Sequence, residues 1–356
     1  PQGGGQRAAQ PGRRRHPLPG VAVTATQTPT DQRSARPPDD STAGPPPQEP
    51  APPHPGRERR PPPSERVRSE RRLGWLLCAP AALVMLAVTA YPIGYAIYLS
   101  LHRADLRFPD ATRFIGLDNY RTVLESSLWW QDLSTTLFIM VVSVSIELVI
   151  GMALAMVMHR ALVGRGLVRA SILIPYGIIT VVAALAWQFA FTPGTGFVDS
   201  WFGTDKAWLT EHGSSMFVII ATEVWKTTPF MALLLLAGLS LVPEELGEAA
   251  RVDGATRWQV FYKVTLPLMK GAILVALLFR ALDAFRVFDT IFIQTGGANQ
   301  TESVSILGYN QLLNRLNLGI GSAISVLIFI CVLIISVIFV KGLGANLAQQ
   351  RGETTV

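Results

Sequence analysis

The sequence predicts an all-α integral membrane protein whose core is a bundle of six transmembrane helices. The first observation is composition, because 49% of the 356 residues are hydrophobic and only 16% are charged, against about 25% charged residues in a typical soluble domain. The second is a set of six apolar stretches, each long enough to cross a hydrocarbon core about 30 Å thick. The third is that no stretch alternates with the period of two residues that a transmembrane barrel requires.

The six predicted spans have the approximate bounds 74–101, 135–158, 167–192, 216–241, 272–294 and 319–343. The fourth contains "EVWKTTPF", in which Pro229 removes a backbone hydrogen bond, so we expect this span to break there. With the N-terminus in the cytoplasm, sixteen Lys and Arg residues flank the spans on the cytoplasmic side and six on the outer side. Because cytoplasmic loops are enriched in these residues, both termini are predicted to be cytoplasmic.

The segment before the first span has a different composition. Residues 1–72 hold 17 of the 25 prolines and a net charge of +6. Such a segment cannot bury enough apolar surface to offset its ordering entropy. We therefore interpret 1–72 as a disordered, Pro/Arg-rich cytoplasmic tail, 73–343 as the membrane domain and 344–356 as a short cytoplasmic C-terminal tail. The tail has no aromatic residues between its arginines, so nucleic acid is not a predicted partner.

Motifs of stand-alone enzymes are missing from the sequence. It contains no GxxxxGK[ST] phosphate loop, no GxSxG nucleophile elbow and no HExxH metal pair. Cys78 and Cys331 lie in apolar stretches, without the spacing of a metal or redox site. We expect no catalytic residue, no metal and no cofactor bound by this chain, so uphill transport would need a partner or an ion gradient.

A charged segment, 244–270, separates the fourth and fifth spans and is predicted to face the cytoplasm. Pro243 and two following glutamates suit a helix N-terminus. Gly254 predicts a joint to a second helix over 258–264, which Pro267 is expected to end. Interfacial helices without a protein partner are an alternative, but the acidic residues and central alanines favour docking against a soluble protein.

The same segment carries a resemblance to a known family. "EAARVDGA", followed by "LP" at 266–267, resembles the EAA loop of permease subunits of ATP-binding-cassette (ABC) importers. "FIGLDNY", "ILIPYGII", "WKTTPFMALLLLAGLSLVPEEL" and "DTIFIQTGG" are similar to the carbohydrate-uptake, maltose-permease-like branch, over nearly all of 73–343. The resemblance implies a type I importer fold with a cytoplasmic coupling helix seated in a cleft of the ATPase. The docking positions that it implies are Glu248, Ala249, Ala250, Asp253 and Gly254.

The resemblance also implies an assembly and a function. The chain would form half of the translocation pathway of an ATP-driven sugar importer in the plasma membrane of a prokaryote. The implied partners are a second homologous permease, two ATPase subunits that bind ATP and Mg, and an extracytoplasmic sugar-binding protein. The implied substrate is a disaccharide such as trehalose or maltose. Glycerol phosphate is an alternative, since Arg280 or Arg286 could pair with a phosphate.

Candidate substrate contacts lie in the fourth and fifth spans, because ionisable residues within a span usually face the bundle interior. The spacing i, i+3, i+4, i+7 predicts one shared helical face for Phe279, Leu282, Asp283 and Arg286. There the carboxylate would accept from sugar hydroxyls, the arginine donate and the ring stack on C–H faces. From the fourth span, the resemblance adds Glu223, Lys226, Thr227 and Phe230.

Two sets of alternatives stay open at this point. Arg280–Asp283 and Arg286–Asp289 are both i, i+3 pairs, so the charged cluster could be a structural ion-pair network instead of a binding site. The protein could also be a transporter driven by an ion gradient, with Asp283 or Glu223 as the ion site, or a scaffold that transports nothing. Gradient-driven transporters commonly have paired inverted repeats, and the two halves of this sequence show no such pairing.

Overall fold

The computed structural model describes residues 65–160, 164–203 and 206–350. The described residues from Ser69 onward belong to one compact unit. Within these ranges, four helices are long and apolar enough to cross a membrane, and two further pairs of bent helices bring the number of spans to as many as six. The predicted all-helical bundle is confirmed. Residues 1–64 of the proposed tail lie outside the part of the chain that the structure describes.

The helices of the described residues, in chain order, are α1 Glu65–Ser100, α2 Asp118–Glu125, α3 Ser127–Arg160, α4 Arg165–Gly177, α5 Thr180–Ala190, α6 Phe197–Phe202, α7 His212–Leu239, α8 Glu244–Val252, α9 Arg257–Val260, α10 Leu266–Leu268, α11 Lys270–Ala284, α12 Asp289–Gln294, α13 Val304–Tyr309 and α14 Leu318–Gln350. Two short antiparallel strands, β1 His102–Arg103 and β2 Arg113–Phe114, follow α1. Helix α1 begins before the predicted boundary at residue 73, and α14 runs past the boundary at residue 343.

The loop after α1 is fixed by polar contacts. The Asn119 side chain donates to the carbonyls of Ser100 and His102, at 2.8 and 2.9 Å, and so connects α2 to the end of α1. Arg107 donates through Nε and Nη2 to the two carboxylate oxygens of Asp105, at 2.9 and 2.6 Å. These bonds favour the charged carboxylate and lower the pKa of Asp105 to about 2.

The bundle core forms where α3, α7 and α11 pack closely. A Cβ atom at Gly151 of α3 would lie 2.9 Å from Met231 Cγ of α7, and one at Gly238 of α7 would overlap Ala272 of α11. Small residues allow such close approach of helices in a membrane, where packing contacts stabilise association. The three helices therefore form the closely packed core of the bundle, around a cluster that includes buried Leu235.

The third span is broken, unlike the single uninterrupted span predicted over 167–192. Helices α4 and α5 meet at 85°. Pro175 and Gly177 lie in the last turn of α4, and the backbone at Ile178 and Ile179 is extended, with ψ of 136° and 135°. Proline and glycine both weaken a helix at this point, so "ILIPYGII" carried a signal for the break.

The predicted break in the fourth span is wrong, because α7 continues through Pro229. Pro229 lacks the N–H that would bond the carbonyl four residues earlier, a single helical hydrogen bond, and it is buried where α7 packs against its neighbours. The Thr228 hydroxyl, one residue before the proline, donates to Val224 O at 2.5 Å. Proline within a packed membrane helix is tolerated under such conditions.

The charged segment folds as a helical hairpin, as predicted. Gly254 joins α8 to α9 with a φ of +85°, a conformation that favours glycine. Thr256 and Gln259 form a reciprocal capping box at the start of α9. The predicted end at Leu266–Pro267 lies one residue from the observed one, because the chain stays helical through Leu268 and bends by 69° before α11. Pro267 lies just beyond the π-helical turn 261–265, and the helix ends one residue after it.

Candidate functional site

A polar pocket of about 500 Å³ lies where the break between α4 and α5 faces α7 and the junction of α11 with α12. Lys226, one of its lining residues, is close to the midpoint of α7, so the pocket lies near the middle of a span. Its volume is typical of small-molecule sites, which measure about 300–1,000 Å³. The lining residues are Tyr176, Ile178, Ile179, Thr180, Glu223, Lys226, Thr227, Asp283, Arg286, Val287, Phe288, Asp289 and Thr290.

The structure brings five of the eight predicted substrate contacts together at this pocket: Glu223, Lys226, Thr227, Asp283 and Arg286. The other three lie outside its lining. The Phe230 ring stacks on the Tyr176 ring at 5.3 Å and so supports the pocket wall. Phe279 and Leu282 are not part of the lining, and the Phe279 side chain is exposed on the surface of the bundle.

Sequence reasoning missed the contribution of the third span. Tyr176 and Thr180 reach the pocket because the break in that span turns the chain beside α7. The Lys226 Nζ atom lies 5.6 Å from the centroid of the Tyr176 ring, which places the cation over the ring face. The Pro and Gly of "ILIPYGII" were the available signal for this wall.

A buried ion network centred on Arg280 lies beside the pocket. The Arg280 side chain is fully buried and donates through Nε and Nη2 to the two oxygens of Glu147, at 2.5 and 2.8 Å. Its Nη1 donates to Asp283 Oδ2 at 2.5 Å. Thr227 Oγ1 also donates to Glu147, at 2.8 Å. Because Glu147 is fully buried as well, these bonds provide the partners that a charge requires inside a protein.

The network extends to Glu223 of α7. The Arg280 Nη2 atom lies 4.0 Å from Glu223 Oε2, and the Thr290 hydroxyl donates to Glu223 Oε1. One guanidinium therefore contacts carboxylates from α3, α7 and α11. Glu147 was recognisable in the sequence as an ionisable residue within a span, but nothing in the local pattern showed which helix it would face.

The two predicted i, i+3 ion pairs have different outcomes. The pair between Arg280 and Asp283 is confirmed. The pair between Arg286 and Asp289 is wrong for the described residues, since no contact between their charged groups lies within 4.0 Å. Helix α11 ends at Ala284, so the helical spacing does not extend to Arg286, and its Nε donates to the carbonyl of Leu282 at 3.3 Å. For the same reason Arg286 does not share one continuous helical face with Phe279.

The hairpin presents a second surface. Glu248 and Ala249 on α8 are exposed, as are Asp253 and Gly254 at its end, and Ala250 is half-buried. The Val252 side chain is 88% exposed, although it is apolar. An acidic, small-residue surface with an exposed apolar side chain can dock against a protein cleft, with the carboxylates accepting hydrogen bonds from the partner.

The helical spans, the polar pocket within them and the charged hairpin between two spans define a subunit of a membrane transporter. A family model described as "Binding-protein-dependent transport system inner membrane component" matches residues 126–350. The chain belongs to this family.

Relatives of known function support the assignment. The trehalose transport system permease protein SugA of Mycobacterium tuberculosis is 59% identical over 80% of this chain and 92% of that protein. The trehalose/maltose transport system permease protein MalF of Thermococcus litoralis is 40% identical over 76% of this chain and 94% of that protein. The sn-glycerol-3-phosphate transport system permease protein UgpA of Escherichia coli is 30% identical, over 81% and 99% of the two chains.

A solved structure shows the same fold. A chain of the bacterial alginate ABC transporter, in complex with alginate pentasaccharide-bound periplasmic protein, matches with a TM-score of 0.67. The match covers 82% of this chain and 100% of that chain, at 23% sequence identity. This match confirms the predicted importer fold, and at this sequence identity it supports the fold alone.

The family decides several of the predictions. The chain is a multi-pass, non-catalytic permease subunit of a binding-protein-dependent ABC importer in a bacterial inner membrane, and ATP binding belongs to the partner ATPase. Membership of this family excludes the ion-gradient transporter and the scaffold as alternatives.

Proposed function

We propose that this permease carries a neutral disaccharide, trehalose first among the candidates, and that the polar pocket between the broken third span and α7 contacts it. The pocket is the observation that supports this proposal best. It combines carboxylates, cations, hydroxyls and the Tyr176 ring, which together can satisfy sugar hydroxyls and stack on a sugar's C–H face. The 59% identical relative is named for trehalose transport.

The charge of the pocket favours a neutral sugar over glycerol phosphate. Its lining contains three carboxylates, Glu223, Asp283 and Asp289, and two cations, Lys226 and Arg286. Arg280 is not free to meet a phosphate, since it is fully buried and bonded to Glu147 and Asp283. In this chain's part of the lining, an anionic substrate would therefore meet more carboxylates than cations, which disfavours its binding at short distance.

We propose the following assembly. Residues 73–343 form the permease domain, with 1–72 and 344–356 as cytoplasmic tails. This chain supplies half of the pathway and a second homologous permease supplies the other half. Two ATPase subunits bind ATP and Mg, and an extracytoplasmic sugar-binding protein delivers the substrate. The docking surface for the ATPase comprises Glu248, Ala249, Ala250, Asp253 and Gly254.

The hairpin suits a coupling role because it is directly followed by the helix that carries a pocket residue. Helices α8 to α10 lead directly into α11, which carries Asp283 at the pocket. A movement of the ATPase could therefore reach the pocket through consecutive helices, joined at Gly254 and at the bend before α11, provided that the ATPase contacts the hairpin differently in its two states.

Uptake by the complete complex in proteoliposomes tests the proposed substrate. The vesicles contain both permeases and the ATPase, with ATP inside and the sugar-binding protein outside. We expect ATP-dependent uptake of labelled trehalose that unlabelled trehalose inhibits and excess glycerol 3-phosphate does not. ATP-dependent uptake of glycerol 3-phosphate with no uptake of trehalose would overturn the substrate assignment.

A further inference from the structure

We propose that Glu147 is a positioning residue for sugar binding, which acts through Arg280 to fix Asp283 at the wall of the pocket. Glu147 belongs to α3 and does not line the pocket. Its influence on the sugar would therefore be transmitted by Arg280. The inference rests on the proposed sugar pocket, and the experiment below separates the failure of one from the failure of the other.

Arg280 contacts Glu147 and Asp283 through different edges of its guanidinium. Nε and Nη2 form a bidentate pair with Glu147, at 2.5 and 2.8 Å, while Nη1 donates to Asp283. A guanidinium is planar and rigid, so a bidentate partner on one edge also sets the direction of the remaining N–H groups. Glu147 thereby determines where Nη1 points.

The direction of the Arg280 Nη1 group affects the pocket because its acceptor, Asp283, is one of the lining residues. Asp283 lies in the last turn of α11, and its side chain is 67% exposed. Arg280 bonds only its Oδ2 atom. No donor among the described residues bonds Oδ1, so this oxygen is free to accept from a sugar hydroxyl. If Arg280 lost its orientation, the carboxylate could rotate and Oδ1 would leave its place.

The other neighbour of Arg280 is a weaker anchor. Glu223 Oε2 lies 4.0 Å from Nη2, which is beyond hydrogen-bonding distance. The Thr227 hydroxyl donates to Glu147 and so helps to hold that carboxylate in place. Within the described part of the bundle, Glu147 is thus the carboxylate that fixes the guanidinium, and α3 sets the geometry of a residue on α11.

The test measures KM and Vmax for trehalose uptake in proteoliposomes that contain the complete complex. Because a hydrogen bond to a charged group contributes about 1.5–3 kcal/mol, we expect Asp283→Asn to raise KM at least about tenfold. Glu147→Gln should also raise KM, and its Vmax should change by a smaller factor than its KM. The double variant Glu147→Gln/Asp283→Asn should have the KM of Asp283→Asn alone, because both changes act on the same contact.

A purely structural role for Glu147 predicts a different pattern. The yield of assembled complex would fall, and the KM of Glu147→Gln would stay at the wild-type value. A raised KM for Glu147→Gln that multiplied with the effect of Asp283→Asn would mean that Glu147 acts independently of Asp283, against the inference. A second variant guards against misfolding. Glu147→Gln/Arg280→Gln replaces both charges of the bidentate pair with amides, so neither is left buried without the other, and Glu223 keeps its hydrogen bond from Thr290. We expect it to assemble and to keep the raised KM. A wild-type KM in this variant would overturn the inference.

A control and one comparison complete the design. Glu125→Gln removes an exposed carboxylate on α2 that pairs with Arg121, and it should leave KM unchanged. If Asp283→Asn leaves KM unchanged, the proposed sugar pocket is wrong at this residue. If Asp283→Asn raises KM and Glu147→Gln does not, the pocket stands and the positioning role of Glu147 is wrong.

Discussion

Removing the cation from the buried network should destabilise the bundle strongly. In Arg280→Met, the fully buried Glu147 carboxylate would lose both guanidinium bonds and keep only the donor from Thr227. Asp283 would lose its Nη1 partner, but its side chain is mostly exposed and water can replace that bond. The main cost therefore arises at Glu147, as a buried charge without a counter-ion.

The expected magnitude follows from that geometry. Breaking a buried ion pair by removing one partner costs about 3–5 kcal/mol, which corresponds to a fall in the unfolding temperature of roughly 10 °C for a domain of this size. Thermal unfolding of the purified complex in detergent, followed by tryptophan fluorescence, measures this change. The pair of amides in Glu147→Gln/Arg280→Gln should recover most of the loss, because Glu147, the carboxylate that Arg280 holds with two hydrogen bonds, is no longer a buried charge.

The matched control is Arg121→Met, since Arg121 forms an ion pair with Glu125 through a side chain that is 76% exposed. Exposed pairs contribute about 0–1 kcal/mol, so its unfolding temperature should stay close to that of the wild type. Equal effects of Arg280→Met and Arg121→Met would refute the reasoning that burial makes the Arg280 network important.

Three further predictions concern packing, coupling and the limits of the pocket. Gly151→Leu should lower the yield of monodisperse complex in size-exclusion chromatography, since even a Cβ atom there would lie 2.9 Å from Met231 Cγ, and overpacking typically costs about 1–3 kcal/mol. A normal yield would contradict the close approach of α3 and α7. Glu248→Lys should reduce co-purification of the ATPase and ATP-driven uptake together, whereas full co-purification would argue against a docking role. Phe279→Ala should leave the KM for trehalose unchanged, because Phe279 lies outside the pocket lining, and a raised KM would show that the sugar path includes it.

The helical class and the hairpin could be predicted because their signals are local. Span length depends on a run of apolar residues, and the joint at Gly254 depends on one glycine between two helix-forming stretches. Both features appear in the structure at the predicted positions. The docking role of the hairpin remains a prediction.

The local sequence alone could not show which proline would break its span. Pro229 and Pro175 look similar as isolated prolines, yet α7 continues through the first, while α4 ends two residues after the second. The difference lies in context, because Pro229 is buried among packed helices with threonine hydroxyls nearby, whereas Pro175 is followed by Gly177. Tertiary packing decides whether a single lost hydrogen bond ends a helix.

The candidate site was predictable in part for a related reason. Helical spacing correctly paired Arg280 with Asp283, which are three residues apart on α11. It could not reveal Glu147, which is 133 residues away in the chain, or Tyr176, which reaches the pocket only through the broken span. Contacts between distant segments depend on how the helices pack, and spacing along one helix carries no information about them.

The most direct test of the sugar pocket is photocrosslinking at Tyr176. A photoreactive benzoylphenylalanine replaces Tyr176 in one complex and Phe279 in another, and each complex is illuminated with labelled trehalose during ATP-driven uptake. We expect label at position 176, removed by excess unlabelled trehalose, and none at position 279. Label at position 279 with none at position 176 would contradict the placement of the sugar in this pocket.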